Sequence, residues 1–447
     1  MEPASPGRLA RLLAAASRRD LVLGAVPLAL VLALLAWAVL HWVRPAPPKT
    51  ITISSGPDGS SFQRSAERYR AAMERSGVTV RLVPSHGSLE NLRRLSGPAS
   101  DVDVGFVQVG VKLPDPAPGE ARRELASLGT IGRQPLWVIV RGEPPDRLFD
   151  LNGKRLVVGP EGSGTRVLAS TLLTASGVEA GNGTEFVDLD DDAVGEALQK
   201  GQVDAAFLMG DSASPKVIRG LVGHPALHAV QLSQLDAIVR RYPYLDRIVI
   251  PMGALELSTN LPASDLALAA SSVELVARAD LHPAISDLLL ETLREVHGRA
   301  GLLAKAGEFP AAREHELPLS DDARRYYQSG KRWLYKVLPF WAASLADRFL
   351  WALVPLVLLL VPAFRLLPTI YRWRIRLRLL RIYGALLELE RDVRASGGED
   401  GAALAGRLDA LEARADALKL PVAFADQFYV LREHIGFVRR RLAARAG

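Results

Sequence analysis

The chain has 447 residues, a formal net charge of +6 and 49% hydrophobic residues, and it contains no cysteine. The lack of cysteine excludes disulfide bonds, thiol catalysis and cysteine-ligated zinc or iron–sulfur sites. The length leaves room for two or three domains, each large enough to bury a core of its own.

Two apolar segments raise the hydrophobic content. Residues 21–43 contain no Asp, Glu, Lys or Arg and can cross a bilayer core of roughly 30 Å as a helix. A second, shorter apolar run predicts a transmembrane helix at residues 349–368. A cleavable signal peptide is the alternative for the first segment. Its apolar run leads into Trp42-Val43-Arg44-Pro45 rather than a small-residue cleavage site, which favours an uncleaved anchor.

The positions of the arginines predict the topology. Basic residues precede the first apolar segment, and a stretch without acids from residue 348 to residue 387 surrounds and follows the second. Under the positive-inside rule both termini are then cytoplasmic. The predicted parts are a cytoplasmic N-terminus (1–20), an extracytoplasmic domain (44–320), a juxtamembrane segment (321–348) and a basic cytoplasmic helical tail (369–447) in a bacterial inner membrane. The charge excess in these flanks indicates contact with the lipid bilayer rather than nucleic acid.

One plan of elements occurs twice after the first apolar segment. Each copy reads as a strand, a glycine- and serine-rich loop, a helix, a second strand, a short helix and a third strand; the two loops are residues 56–61 and 159–164. In parallel α/β sheets, ligands bind beyond the carboxyl ends of the strands, where helix N-termini offer free N–H groups to an anion. The repeat therefore predicts an α/β fold of two lobes with a cleft for a small, anionic solute.

Two chain crossings between the lobes are expected to form a hinge. The apolar residues 136–140 read as the first crossing and residues 248–257 as the return. Lobe one then comprises about 50–135 and 250–320, and lobe two about 136–249. Such a hinge lets a cleft close on its ligand. An amphipathic helix is predicted at 282–297, and a helical hairpin or short coiled coil is predicted for the tail beyond residue 379.

The candidate ligand-binding residues lie in the loops at the strand ends. Ser163 and Thr165 follow a strand and open a helix, so their hydroxyls are donors; the alternative is an ordinary turn with either residue as the N-cap. Ser88 is expected to be the N-cap of the short helix in lobe one. The full predicted set is Ser55, Gly59, Ser60, Ser61, Phe62, Gly87, Ser88, Asn91, Gln108, Gly162, Ser163, Gly164, Thr165 and Arg166.

Signals for catalysis, metals and cofactors are weak. The eight histidines are scattered, and no Gly-x-Ser-x-Gly motif is present. Neither loop ends in the Gly-Lys-Ser/Thr of a phosphate-binding NTPase loop. Four acids could suggest calcium, but helix capping explains them better because the EF-hand spacing is missing; they are Asp188, Asp190, Asp191 and Asp192. We therefore predict a protein that is not an enzyme, with no catalytic residue, metal or cofactor.

Over about residues 49–320 the sequence resembles the TAXI family of solute-binding proteins of TRAP transporters. The resemblance rests on Ile53-Ser54-Ser55-Gly56 with Gly59 and Phe62, on Gly87-Ser88-Leu89-Glu90-Asn91-Leu92, on Phe106-Val107-Gln108, and on Gly162-Ser163-Gly164-Thr165. It implies a type II periplasmic-binding fold with a hinged cleft. It also implies a ligand such as glutamate, 2-oxoglutarate or a similar carboxylate, and delivery to a sodium-coupled TRAP-type permease.

The chain departs from the family pattern in two places. Asp58 stands in the first loop, where it would repel a carboxylate, and both ends of the chain carry predicted membrane anchors. Most such receptors are freely secreted, and this chain resembles the subgroup with a carboxyl-terminal span and a basic helix. A ligand sensor that signals through its cytoplasmic helices to a partner protein is therefore the alternative function. A hydrolase is the third possible class of function, but the sequence shows no evident general base to activate Ser163.

Overall fold

The structure, a computed structural model, describes residues 46–116, 121–181, 183–189, 191–331, 333–395, 401–418 and 424–446. The chain divides into two compact units. The larger unit, Pro45–Asp347, contains both sheets, and the smaller unit combines Met1–Arg44 with Arg348–Gly447.

The larger unit begins with the first copy of the repeat. Its elements are β1 (Thr50–Ser54), α1 (Ser61–Glu74), β2 (Thr79–Val83), α2 (Ser88–Ser96), β3 (Val104–Gln108) and β4 (Leu125–Pro135). Helix α1 buries one face at helical spacing, through Phe62, Ala66, Tyr69 and Met73. Phe62 stacks on Phe106 of β3 with 5.3 Å between the ring centroids, which joins the helix to the sheet.

The second copy follows directly. Its elements are β5 (Trp137–Arg141), β6 (Arg155–Val157), α3 (Gly164–Ala175), β7 (Glu185–Val187), α4 (Asp191–Lys200), β8 (Ala205–Leu208), α5 (Pro215–Val222), β9 (Leu227–Ala229) and α6 (Leu235–Arg241). The chain then forms β10 (Leu245–Ile250), β11 (Leu266–Arg278), α7 (Pro283–His297), α8 (Asp321–Ser329) and α9 (Trp333–Val337).

The two sheets share one strand order. The first reads β2-β1-β3-β11-β10 with β4 also paired to β11, and the second reads β7-β6-β8-β5-β9. In each sheet the first three strands of the repeat are parallel, and a further strand, β11 in the first sheet and β5 in the second, lies antiparallel to the third. The predicted two-lobed, periplasmic-binding-like α/β fold is thereby confirmed.

An aspartate at the start of the third strand holds the same contact in both lobes. Asp103 accepts a hydrogen bond from the backbone nitrogen of Thr52 at 2.8 Å, and Asp204 accepts one from that of Arg155 at 2.8 Å. The backbone nitrogens of these aspartates donate in return to the carbonyls of Thr52 and Arg155, each at 2.9 Å. Asp204 therefore fixes the start of two neighbouring strands.

The crossings differ in part from the expected ones. The first occurs at Leu136, between β4 and β5, as residues 136–140 predicted. Strand β10 overlaps the predicted return at 248–257; it pairs with residues 266–271 of β11, and both segments pack with the apolar cores of lobe two. The chain returns to lobe one within β11, because Val273 and Leu275 pair with β3 and belong to the core of lobe one. Strand β11 is buried up to Ala277, so it lacks the alternation of a half-exposed strand.

The smaller unit is helical where the structure describes it. It contains most of α10 (Phe340–Ala395), together with α11 (Gly401–Asp416) and α12 (Ala425–Ala446). Buried apolar side chains of the three helices form a separate core, which includes Leu386, Leu389, Leu408, Leu431 and Ile435. The tail thus has a hydrophobic core of its own.

Among the residues that the structure describes, no helix combines the length and the apolar character needed to cross a bilayer. The predicted span at 21–43 lies outside these residues. The predicted span at 349–368 falls within α10, and most of its side chains lie outside the described ones as well.

Candidate functional site

Three helices of the repeat begin at the boundary between the lobes. Ser60 caps α1 by accepting a hydrogen bond from the Gln63 backbone nitrogen, and Ser163 caps α3 in the same way through that of Arg166, at 3.0 Å. Helix α2 differs from expectation because its N-cap is Gly87, which makes Ser88 the first helical residue. The Ser88 hydroxyl is therefore available for contacts outside its own helix.

The buried carboxylate of Asp211, just after β8, lies at the N-terminus of α3. The backbone nitrogen of Gly164 donates to Oδ2 at 2.6 Å, and the Thr165 hydroxyl donates to Oδ1 at 2.6 Å. Ser88, in the other lobe, donates to Oδ2 at 3.4 Å. Asp211 is fully buried, so donors of both lobes surround one carboxylate away from solvent.

The environment of Asp211 affects its ionisation in two opposing ways. Burial raises the pKa of the Asp211 carboxyl, because removal from water penalises the charged form. Hydrogen bonds from Thr165, Gly164 and Ser88 favour the charged form and offset part of this rise. The positive end of the α3 dipole acts in the same direction as these donors.

The residue before Asp211 contacts the other glycine- and serine-rich loop. The carbonyl of Gly210 accepts a hydrogen bond from the backbone nitrogen of Ser61, the first residue of α1, at 2.8 Å. A Cβ on Gly56 would lie 2.7 Å from the Ser60 hydroxyl and 3.0 Å from the carbonyl oxygen of Asp211, so a larger residue here would force its neighbours to shift. Gly210 thus lies at the N-terminus of α1 in lobe one, and Asp211 lies at the N-terminus of α3 in lobe two.

Gln108 extends the polar cluster toward the crossing between the lobes. Its backbone nitrogen donates to the Ser88 hydroxyl at 3.1 Å, and its side-chain nitrogen donates to Gln134 Oε1 at 2.8 Å. The same side-chain nitrogen lies 3.8 Å from the sulfur of Met209. Gln108 therefore connects both lobes with the strand that passes between them.

The structure brings most of the predicted residues to this boundary. Those within one contact of Asp211 or Gly210 are Ser61, Gly87, Ser88, Gly164 and Thr165, and Ser60, Gln108 and Ser163 lie next to them. The carbonyl of Gly162 accepts a hydrogen bond from the Glu90 backbone nitrogen of the other lobe at 2.9 Å. Gly59 is exposed and faces Ser214 across the same boundary.

Four predicted residues make contacts elsewhere. Asn91 binds Ser54 and the carbonyls of Ser55 and Phe106, all within its own lobe, and the Ser55 hydroxyl donates to Gln63. Phe62 belongs to the core of lobe one. Arg166 directs its guanidinium to Asp188 at 2.6 Å and to the Gly159 carbonyl at 3.0 Å, which keeps its charge away from Asp211.

The other chemical readings find little support in the geometry. The Ser163 hydroxyl donates to the Pro160 carbonyl at 2.7 Å, and no hydrogen bond joins it to a histidine among the described residues. The described residues also contain no cluster of acids and histidines that could hold a metal ion. Of the four acids considered for calcium, Asp188 pairs with Arg166, Asp191 begins α4, and Asp190 lies outside the described residues.

A groove of about 720 Å³ opens where α2 meets the loop before α3. Its lining is mostly polar and includes His86, Glu90, Arg93, Glu161 and Asp188. The Glu90–Gly162 contact borders the groove, so the groove lies on the boundary between the lobes.

Asp211 is the site residue that the sequence did not suggest. It lies three residues beyond the end of β8, at the position where the repeat has Gly110 in lobe one. The available signal was an acid directly beyond the carboxyl end of a third strand, where side chains meet the helix N-termini of a parallel sheet.

Comparisons with known proteins identify the family. Residues 65–329, more than half of the chain, match the model of the NMT1-like family. A solved protein of Bordetella bronchiseptica RB50 is 16% identical, with 57% of this chain and 72% of that one covered and a TM-score of 0.38. The periplasmic aliphatic sulphonate binding protein SsuA of Escherichia coli is 13% identical, with 56% of this chain and 69% of that one covered and a TM-score of 0.34. The alkanesulfonate-binding SsuA of Xanthomonas axonopodis pv. citri, bound to MOPS, is 17% identical, with 56% of this chain and 74% of that one covered and a TM-score of 0.33. These structural similarities are too low to carry an argument, whereas the family match shows that the chain belongs to the NMT1-like family.

Proposed function

We propose that this protein is an extracytoplasmic receptor that captures a small solute with a carboxylate or similar anionic group between its two lobes. The observation that carries the proposal is the convergence of Ser88, Gly164 and Thr165 on the Asp211 carboxylate. Asp211 serves as an internal example of the chemistry that these donors bind. Backbone amides at a helix N-terminus and nearby hydroxyls are well suited to an anion.

The resemblance to the TAXI family supports the finer part of the proposal. Glutamate, 2-oxoglutarate or a related small carboxylate is the proposed solute, and a TRAP-type permease is the proposed acceptor. The apolar segments at 21–43 and 349–368 would anchor the protein in a bacterial inner membrane, with the lobes outside the cytoplasm. Membership of the NMT1-like family and the two-lobed fold are consistent with this proposal.

The test is a thermal-shift panel on the purified full-length protein in detergent. The panel contains glutamate, glutamine, 2-oxoglutarate, C4-dicarboxylates, phosphate and sulfate. A true ligand stabilises the folded state by about 2.7 kcal/mol at one hundred times its dissociation constant. Protein shown to be folded and free of carried-over ligand, yet unresponsive to every anion, would contradict the proposal.

A pair of glycine variants locates the binding site. A Cβ at Gly164 would contact Gln108 Oε1 and lie 2.9 Å from the Ser88 hydroxyl, so Gly164→Ala adds bulk at the meeting point of the lobes. We expect this variant to lose most of the ligand response. Gly220 is also helical, but a Cβ there meets nothing within 4 Å, and Gly220→Ala should keep the response. Equal responses in both variants would place the site elsewhere.

Sensing is the second candidate function, and the folded tail is the observation that favours it. The helices of the smaller unit share a core of their own, whereas a receptor that only delivers a solute needs no such unit. Affinity capture with the full-length protein, with and without ligand, separates the two functions. Ligand-dependent recovery of a signalling enzyme would favour sensing, and recovery of a permease subunit would favour transport.

A further inference from the structure

The Asp211 carboxylate accepts hydrogen bonds from the same donors that an incoming anion would need. The amide of Gly164 and the hydroxyl of Thr165 each lie 2.6 Å from one of its two oxygens, so both oxygens are hydrogen-bonded. Ser88 approaches the same carboxylate from lobe one. A second carboxylate cannot bind these donors while Asp211 remains, because two like charges would share one buried pocket.

Asp211 reaches lobe one through the Ser88 hydroxyl, and other contacts between the lobes surround this hydrogen bond. The Gly210 carbonyl binds the backbone nitrogen of Ser61, and the Gly162 carbonyl binds that of Glu90, at 2.8 Å and 2.9 Å. Gly87 packs so closely that a Cβ on it would lie 2.8 Å from Asp211 Oδ2 and 3.1 Å from the Cα of Ser163. The lobes are therefore in direct contact around the carboxylate.

From these contacts we infer that Asp211 is an internal ligand, which holds the empty lobes together and which the solute's anionic group must displace from Gly164 and Thr165. The inference rests on the proposed function and specifies its regulation. Displacement reduces the apparent affinity, because part of the intrinsic binding energy is used to remove Asp211 from its donors. It also selects for solutes that can replace a carboxylate on an amide and a hydroxyl.

The first arm of the test measures affinity by calorimetry with the full-length protein. The probes are 2-oxoglutarate, which has no amine, and glutamate, which has one. Asp211→Asn keeps the size of the side chain but removes the competing charge, and we expect both probes to bind it at least about tenfold more tightly than wild type. Glu179→Gln is the charge control, because Glu179 is exposed beyond the C-terminal end of α3, opposite the end that contacts Asp211, and its affinity should match wild type.

Three results would overturn the inference in this arm. Unchanged affinity in Asp211→Asn would show that Asp211 does not compete. Equal tightening in Glu179→Gln would show a general charge effect. Loss of glutamate binding in Asp211→Asn, with 2-oxoglutarate binding retained, would show that Asp211 instead binds the ligand amine, which leaves the proposed receptor function intact.

The second arm needs no ligand and uses the lack of cysteine in the chain. A Cβ on Gly59 would lie 3.6 Å from that of Ser214 across the lobe boundary, within the range for a disulfide. The double variant Gly59→Cys, Ser214→Cys should crosslink readily when empty, and adding Asp211→Asn should slow crosslinking several-fold. Equal crosslinking rates would overturn the inference. Slower crosslinking together with no binding of any anion would sustain the lobe-joining role and refute the receptor function.

Discussion

The Asp211 carboxylate lies 2.6 Å from the backbone nitrogen of Gly164, so an acid of the chain itself occupies the anion-binding end of helix α3. This contact is fully buried and is completed by hydroxyls from both lobes. An isolated buried carboxylate would be costly, and the surrounding donors make this one tolerable. Its burial and the number of its donors make this contact a stability determinant as well as part of the candidate site.

Removing the Thr165 hydroxyl should destabilise the empty protein. Thr165→Val keeps the shape of the side chain but takes a donor from a buried charged acceptor, which costs about 2 kcal/mol. Thr171→Val, in the same helix, is the matched control because its hydroxyl binds only the Val167 carbonyl, at 2.7 Å. We expect the control to lose less than about 1 kcal/mol. Urea unfolding of both variants measures the difference, and equal losses would argue against a special role for the Asp211 contact.

Gly87→Ala should interfere with the contact between the lobes. Gly87 has φ +129°, and a Cβ there would lie 2.8 Å from Asp211 Oδ2. Gly181 has φ +110° but nothing within 4 Å of its Cβ position, so Gly181→Ala isolates the backbone strain, which costs about 1–3 kcal/mol. We expect Gly87→Ala to be the more destabilised in urea unfolding by at least about 1 kcal/mol because of the added clash. Similar losses would mean that the lobes adjust around the methyl group.

The repeated part of the fold could be read from the sequence because its signals are local. Glycine and serine in the two loops mark strand-to-helix turns, and Ser60 and Ser163 cap the helices that follow. Strands β4 and β11 carry no such signals. Gly129, Gly132 and Pro135 weaken the strand pattern of β4, and buried Ser271, Ser272 and Glu274 interrupt that of β11. Their pairing across about 140 residues of sequence depends on tertiary structure.

The sequence predicted the location of the candidate site better than the contacts that its side chains make. The loops that face the boundary were identified from their position after strands, as were Ser88, Gly164 and Thr165 within them. The direction of a side chain was not predictable, because Arg166 could equally face the cleft or the outside, and the structure pairs it with Asp188. Asp211 escaped notice because its partners lie more than 40 residues away in sequence.

The paired aspartates of the repeat should contribute similarly and independently to stability. Asp103→Ala and Asp204→Ala each leave a strand amide without its partner, which costs about 1–3 kcal/mol. The asparagine variants keep an acceptor oxygen and should lose less. The two sites lie in different sheets, so the losses in the double alanine variant should add to within about 0.5 kcal/mol. Chemical denaturation gives all these values, and a large non-additive term would show that the two contacts are energetically coupled.

His297 should make the stability of lobe one depend on pH. Burial, with a smaller contribution from the charge of Arg68, lowers the pKa of His297 to about 4, and its Nε2 lies 2.8 Å from the Tyr69 hydroxyl. The unfolded chain, with an ordinary histidine pKa of about 6.5, binds the proton more readily, so stability is lost as pH falls from about 6.5 toward 4.

Between pH 7 and pH 5 this single histidine should account for a loss of about 2 kcal/mol. His297→Gln removes the titrating group, so its loss over the same range should be smaller than that of wild type by this amount. His228→Gln is the matched control substitution, because His228 is exposed on β9 and lies outside the core of lobe one. Urea unfolding at the two pH values makes the comparison. Parallel pH profiles for His297→Gln and wild type would show that His297 takes up a proton in the folded protein as easily as in the unfolded chain.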